Sequence, residues 1–305
     1  MKPSLIFPVG KTRKRRGFSV LRSGLAALTA LILLLLSACA VPSAARTSRP
    51  SVRRAPEQAY SVHADTESGV AKAEGGAVVA TYRYQLPVMV PLRTDGSSIT
   101  AADVKSEREK QALAVAETFN AEFVQWAEEA DFPSLEEAAR EDYQWRVHSV
   151  NGWDMEYAQS LETTIYQTNR LVSVAGNFYS YSGGAHPNTM LFGWNFDLDS
   201  GKFFSPEQLF EDAEAVTREL VRMAGERAAE YDLPPEEFFW RDYADVLAVW
   251  SDSNVAVTFD EKDMTVSYPP YELASYAAGE QIFTIPLAWL EPWMNSYGKS
   301  LLFGT

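Results

Sequence analysis

The sequence predicts an α+β fold, antiparallel sheets with helices packed against them, in two subdomains divided near Leu161. Three observations lead there. Runs of alternating β-branched and aromatic residues recur along the chain, the pattern of half-buried strands. Between them, over residues 104–130 and again from 213, the apolar period changes to three and four, which is helical. Most strand pairs are joined by short turns, which favours antiparallel neighbours over parallel ones. At 305 residues, 46% hydrophobic and 22% charged, the chain has material for a substantial core.

The first 56 residues stand apart. Residues 1–38 carry Lys2, Lys11, Arg13, Lys14, Arg15, Arg16 and Arg22 and no acid. Residues 25–36 (LAALTALILLLL) are apolar but shorter than the ~20 residues a bilayer span needs. Leu36-Ser37-Ala38-Cys39 then has the form of a lipobox. The expectation is a lipoprotein signal peptide over 1–38, removed as Cys39 receives diacylglycerol, with a signal anchor as the alternative. Buried lipid CH₂ groups contribute ~0.8 kcal/mol each, so two or three chains such as palmitate hold a protein on the outer face of the cell membrane. Arg15-Arg16-Gly17-Phe18 fits a twin-arginine export motif or an ordinary basic n-region. Residues 39–56 are rich in Ser, Ala, Arg and Pro, a composition that tethers and does not pack. Cys39 is the one cysteine, so no internal disulfide forms.

Charge divides the chain the same way. Eleven of the 27 bases precede Glu57, so from there on 16 bases face 41 acids, a balance of −25. Such a domain repels nucleic acid and anionic lipid and steers cationic partners; equally, the acids can simply solvate an extracellular surface.

The folded part, 57–160 and 161–305, begins near Tyr60 with a short strand over 60–64. Residues 77–90 (AVVATYRYQLPVMV) form one or two strands, Pro87 requiring an edge or a bulge. Asp95-Gly96-Ser97-Ser98 is a turn. Leu113, Ala116, Phe119, Phe123, Trp126 and Ala130 line one helical face, which Pro133 ends. Ser134 with Glu137 fits a capping box for a second helix to about Tyr143. Asn151-Gly152 is a turn. Residues 155–167 and 171–181 are long strands about Thr168-Asn169-Arg170, and with 189–198 and 202–204 they make a meander. Asp199-Ser200-Gly201 suits a hairpin with a left-handed glycine. Ser205-Pro206-Glu207-Gln208 starts a helix; 213–231 and 236–249 are helices broken at Pro234-Pro235. Strands at 255–259, 264–268 and 281–285 follow, with a structured loop over 268–279 and a short helix from Pro286 through Trp293.

Catalytic signatures are sparse. There is no HExxH, no cysteine cluster, no GxSxG, no P-loop and no dinucleotide fingerprint, and no cofactor or metal is called for. The stretch that draws attention is YSYSGGAHPNTMLFGWNFDLDSG, residues 179–201. Adjacent Gly183 and Gly184 suit positive φ, and Pro187 pushes His186 towards extended backbone. His186 with Asp197 or Asp199 can bind a metal or act as a base, or its ring can lock the turn through a backbone carbonyl. Asp197 to Gly201 has a superficial likeness to a calcium loop but lacks the closing glutamate. Tyr179 and Tyr181 either form an exposed aromatic platform or pack into the sheet; Tyr268, Tyr271 and Tyr276 pose the same question.

Those residues carry a resemblance. GGAHPN, with Gly183, Gly184, His186 and Asn188, followed by NFDLDSGK and SPEQLF, and then by Tyr268-Pro-Pro-Tyr271-Glu-Leu, Ala277-Ala-Gly279 and Phe283-Thr-Ile-Pro286, resembles the extracytoplasmic domain of RsiV-type anti-sigma factors, from about Tyr60 to Met294. In that family the domain is a lysozyme receptor; similar domains occur in bacterial lipoproteins and beside peptidoglycan deacetylases. The resemblance implies a non-catalytic binding or sensing domain for a cell-envelope ligand, a lysozyme-like cationic protein above all. The alternative is a peptidoglycan-active enzyme or accessory domain using His186. A lipobox replaces the family's spanning helix, so sigma-factor inhibition is not implied.

Overall fold

The structure, a computed structural model, describes residues 59–146, 156–251 and 255–304, all within one compact unit, Arg53–Thr305. The signal peptide, Cys39, the tether and the Asn151-Gly152 turn lie outside the described residues.

Six strands form the larger sheet in sequence order: β1 (Tyr60–Lys72), β2 (Val78–Pro91), β3 (Tyr157–Gln167), β4 (Leu171–Tyr181), β5 (Asn188–Asp197) and β6 (Lys202–Phe203). All neighbours are antiparallel except β2 and β3. A parallel pair needs a crossover, and α1 (Glu107–Glu129) and α2 (Phe132–Arg146) supply it. The smaller sheet is β7 (Ala256–Phe259), β8 (Asp263–Tyr268) and β9 (Gln281–Pro286), antiparallel throughout. Around it lie α3 (Glu214–Ala229), the short α4 (Pro235–Phe238) and α5 (Tyr243–Ala248), and, after β9, α6 (Leu287–Leu290) and α7 (Ser296–Phe303). The fold class is α+β, as the sequence predicts.

The helical stripe of α1 meets one face of the large sheet. Ala116, Phe119 and Phe123 are buried against Val172, Val174 and Phe178 of β4 and Trp194 and Phe196 of β5. The α3 stripe of Val216, Leu220 and Ala224 packs with Val266, Tyr268, Phe283 and Ile285 in a second cluster. Between the sheets, β5 meets β7 at a seam of small and polar side chains. Ser173 Oγ donates to Asn195 Oδ1 (2.8 Å), Asn195 Nδ2 donates to the Val257 carbonyl (2.8 Å), and the Phe259 N–H donates to Ser173 Oγ (2.9 Å). These side chains satisfy backbone groups on the edge of β7 that no strand pairs, and buried polar groups require such partners.

Several boundaries differ from expectation for identifiable reasons. The two-subdomain division near Leu161 runs through the middle of β3, where Leu161 pairs with Tyr84 on one side and Phe178 on the other; residues on both sides of that point share one sheet. β1 is 13 residues, mostly exposed and polar; full-length pairing with β2 makes it a strand where composition does not. Pro87 sits past the last β2 residue paired with β3, on the side where Asn120 of α1 bonds the N–H and carbonyl of Met89 (2.7 and 3.1 Å). The break between α1 and α2 is Asp131 at φ 50°. Its carboxylate, not the Ser134 hydroxyl, accepts from the second helix (Ser134 N, 3.3 Å), and Pro133 lies inside the first turn. The helix expected over 236–249 is two short pieces, interrupted where the Trp240 N–H donates to the Leu273 carbonyl (2.8 Å).

Candidate functional site

The β4–β5 connection is the GGAHPN turn. Gly183 (φ 88°) and Gly184 (φ 99°) both occupy the left-handed side, where a side chain would be strained. The Tyr181 hydroxyl donates to the Gly184 carbonyl (3.2 Å) and its ring lies edge-on to Tyr157. Asn188 is exposed, opens β5 and pairs with Ser180. His186 is half-buried. Its Nδ1 lies 2.9 Å from the Pro187 carbonyl, which can only accept, so Nδ1 carries a proton, and in the neutral ring Nε2 is the acceptor. The Tyr271 hydroxyl lies 3.2 Å from that Nε2.

Tyr271 belongs to the loop between β8 and β9, 85 residues downstream. That loop is fastened at several points. Leu273 and Ala274 are buried. Trp240 Nε1 donates to the Tyr271 carbonyl (2.9 Å). Gln281 Nε2 donates to the Ala278 and Gly279 carbonyls (2.9 and 3.3 Å). Tyr271 itself has φ 74°, a conformation costly for a bulky residue and held only by its surroundings. On this frame the Tyr276 ring stacks on the His186 imidazole (4.0 Å between centroids, 23°), and Tyr271 stands 5.5 Å from Tyr276. Tyr271 is 53% exposed and Trp240 43%. The two motifs that the sequence shows far apart thus form one surface cluster: a triangle of an imidazole and two phenols, with exposed aromatic area beside it.

Chemically this offers π-faces, phenol hydroxyls and a fixed imidazole tautomer. No carboxylate is hydrogen-bonded to His186 among the described residues, so the ring lacks the orienting acid of a hydrolytic triad. The pairing of His186 with Asp197 or Asp199 does not occur. These residues stand at opposite ends of β5, about 30 Å apart at the usual ~3.3 Å strand rise. Asp197 instead accepts from the Asp199 N–H (2.9 Å) and the Tyr297 hydroxyl (3.1 Å), and Asp199 pairs with Arg170 (2.7 Å). Burial, then the Asp197 charge, pushes the Tyr297 phenol well above its ordinary pKa. Among the described residues no group of His, Cys, Asp or Glu is arranged to hold a metal ion, and no helix is long and apolar enough to cross a membrane.

Two of the candidate tyrosines are interior. Tyr181 is 6% exposed, so it packs and forms no platform with Tyr179, which is half-buried. Tyr268 is fully buried among Val266, Phe283 and the α3 stripe. Burial raises its phenol pKa, and its hydroxyl has no hydrogen-bond partner among the described residues. An unpaired buried hydroxyl costs ~1–3 kcal/mol. Tyr268→Phe is therefore expected to leave stability unchanged or raise it by about 1 kcal/mol, measured as the urea midpoint. Trp240, which supports Tyr271, carries no sequence signal beyond its place in a helix that breaks.

Residues 203–288 match the family described as "Protein of unknown function (DUF3298)", so the chain contains a DUF3298 domain that spans the small sheet and the Tyr271 loop. A crystal structure of a DUF3298-family member from Bacteroides fragilis shares the fold, with a TM-score of 0.54 at 16% identity over 79% of this chain and 95% of that one. A DUF3298 family protein from Pseudomonas aeruginosa aligns with a TM-score of 0.44 at 14% identity, over 79% and 96%. No curated protein matches.

Proposed function

We propose that the chain is a cell-surface lipoprotein, held through diacylglycerol on Cys39, whose folded part is a non-catalytic binding domain of the RsiV type for a lysozyme-like cationic protein. The observation that carries this is the meeting of the two resemblance motifs: His186 of GGAHPN lies stacked on Tyr276 and within hydrogen-bond distance of Tyr271. Tyrosines of this kind, rigid and partly exposed, are enriched at binding hot spots. The charge supports the same partner, since 16 bases against 41 acids from Glu57 on attract a cationic protein and raise its association rate.

The test is calorimetric titration of the chain with a c-type lysozyme at low and high salt. Micromolar or tighter binding that persists at high salt is expected, because a shaped contact survives screening and bare charge attraction does not. Tyr271→Ala is expected to weaken binding by about 2 kcal/mol, roughly thirtyfold, with an unchanged melting midpoint. A silent titration at both salts, or binding that vanishes with salt, overturns the proposal.

A further inference from the structure

A second site lies away from the His186 cluster, in a cleft of about 350 Å³ where α1, β5 and the segment Phe204–Pro206 meet Ser251, Val255 and Val257 of β7 and the stretch before it. That volume is at the lower end of ligand pockets and suits one side chain with its flanking backbone. Its aromatic wall is Trp126 from α1 and Phe192 and Trp194 from β5. Phe192 and Trp194 stack at 5.1 Å and 17°, and Trp126 stands edge-on to both (82° and 88°). Trp126 and Phe192 are only half-buried, so aromatic surface remains open to the cleft.

Glu122 and Glu129 also line it. They lie four residues before and three after Trp126, which puts all three on one helical face. About 10 Å of helix axis separates the two residues' backbone positions, so the helix sets one glutamate on either side of Trp126. Among the described residues neither has a lysine or arginine hydrogen-bonded to it, and the contact on Glu129 is from the neutral Gln125 amide (2.7 Å). Among the described residues no base lines the cleft, so an anion is repelled. A metal ion would find aromatic walls where it needs oxygen ligands. A cation with an apolar stem and a flat head matches both walls and charge, and guanidinium stacks on aromatic rings better than ammonium does.

We infer that this cleft binds an arginine side chain of a partner peptide, its guanidinium against the Trp126–Phe192–Trp194 wall and between Glu122 and Glu129. The site stands independently of the His186 cluster and of any lysozyme-like partner.

The experiment uses the 305-residue chain and Nα-acetyl-arginine amide as the probe, following the indole N–H resonances of Trp126 and Trp194 by NMR. Saturable shifts at millimolar probe are expected, with no response to Nα-acetyl-citrulline amide, which has the same shape and no charge. The E122Q, E129Q double variant is expected to bind about tenfold more weakly or less, with its melting midpoint unchanged. No shift with the arginine probe, an equal response to citrulline, or unaltered affinity in the double variant overturns the inference. So does a response to N-acetylglucosamine alone, which would make the cleft a saccharide site.

Discussion

Replacing Gly193 with alanine is expected to destabilise the protein by about 3 kcal/mol or more. A Cβ at this position would lie 2.6 Å from the Val257 nitrogen and against its carbonyl, so β5 and β7 would have to separate. Separation would also pull Asn195 away from the Val257 carbonyl and Ser173 from the Phe259 N–H, leaving buried polar groups unpaired. Urea denaturation gives the loss. The mechanism has a specific signature: because the obstruction is backbone, trimming the facing side chain with Val257→Ala does not restore stability in the double variant. Restoration by that change would show that the seam is ordinary side-chain packing.

The other large effect is expected on the opposite face of the same sheet. Phe196 is fully buried, edge-on to Phe119 of α1 at 5.3 Å and to Phe203 of β6 at 4.8 Å. Phe196→Ala removes a full aromatic side chain from a site walled by rigid rings that cannot collapse into the space. The expected cost is about 3–5 kcal/mol, read from the shift in urea midpoint, and Phe196→Leu is expected to recover much of it. A loss under about 1 kcal/mol would mean that α1 settles onto the sheet freely and that this interface does not hold the two together.

Much of the fold is legible in the sequence because local pattern and tertiary role agree. β3 alternates, β4 is rich in β-branched and aromatic residues, and the two flank Thr168, whose hydroxyl accepts from the Arg170 and Leu171 N–H groups to close the turn (3.1 and 3.0 Å). The apolar residues of α1 fall at helical spacing and meet the sheet as that spacing requires. Where role and pattern part, the sequence is silent. β1 is polar and exposed and exists through its pairing. α7 carries no helical signal: it is eight residues with Gly298 in its interior, a poor helix by propensity. It is held instead by the Asn295 cap on the Gly298 N–H (3.0 Å) and by Arg170, which donates to the Ser300 carbonyl (2.6 Å). In the candidate site, the residue types and the turn chemistry were visible, but not the approach of His186 to Tyr271 and Tyr276, which the stacking of one sheet on the other creates. Tyr181 and Tyr268 illustrate the converse. Each sits in a motif that leaves platform and sheet packing both open, and each packs inward, because strand alternation, not motif membership, decides which way a side chain faces.

The capping of β7 by Ser173 and Asn195 bears on how the molecule could be cut. The DUF3298 match begins at residue 203, after both of those side chains, so a fragment restricted to 203–288 would expose the edge that they close, a template for pairing with other chains. The length by which the domain is recognised and the length that can stand alone are therefore different. An excised recognition segment would be an aggregation hazard, while the protein intact carries its own guard on an earlier strand.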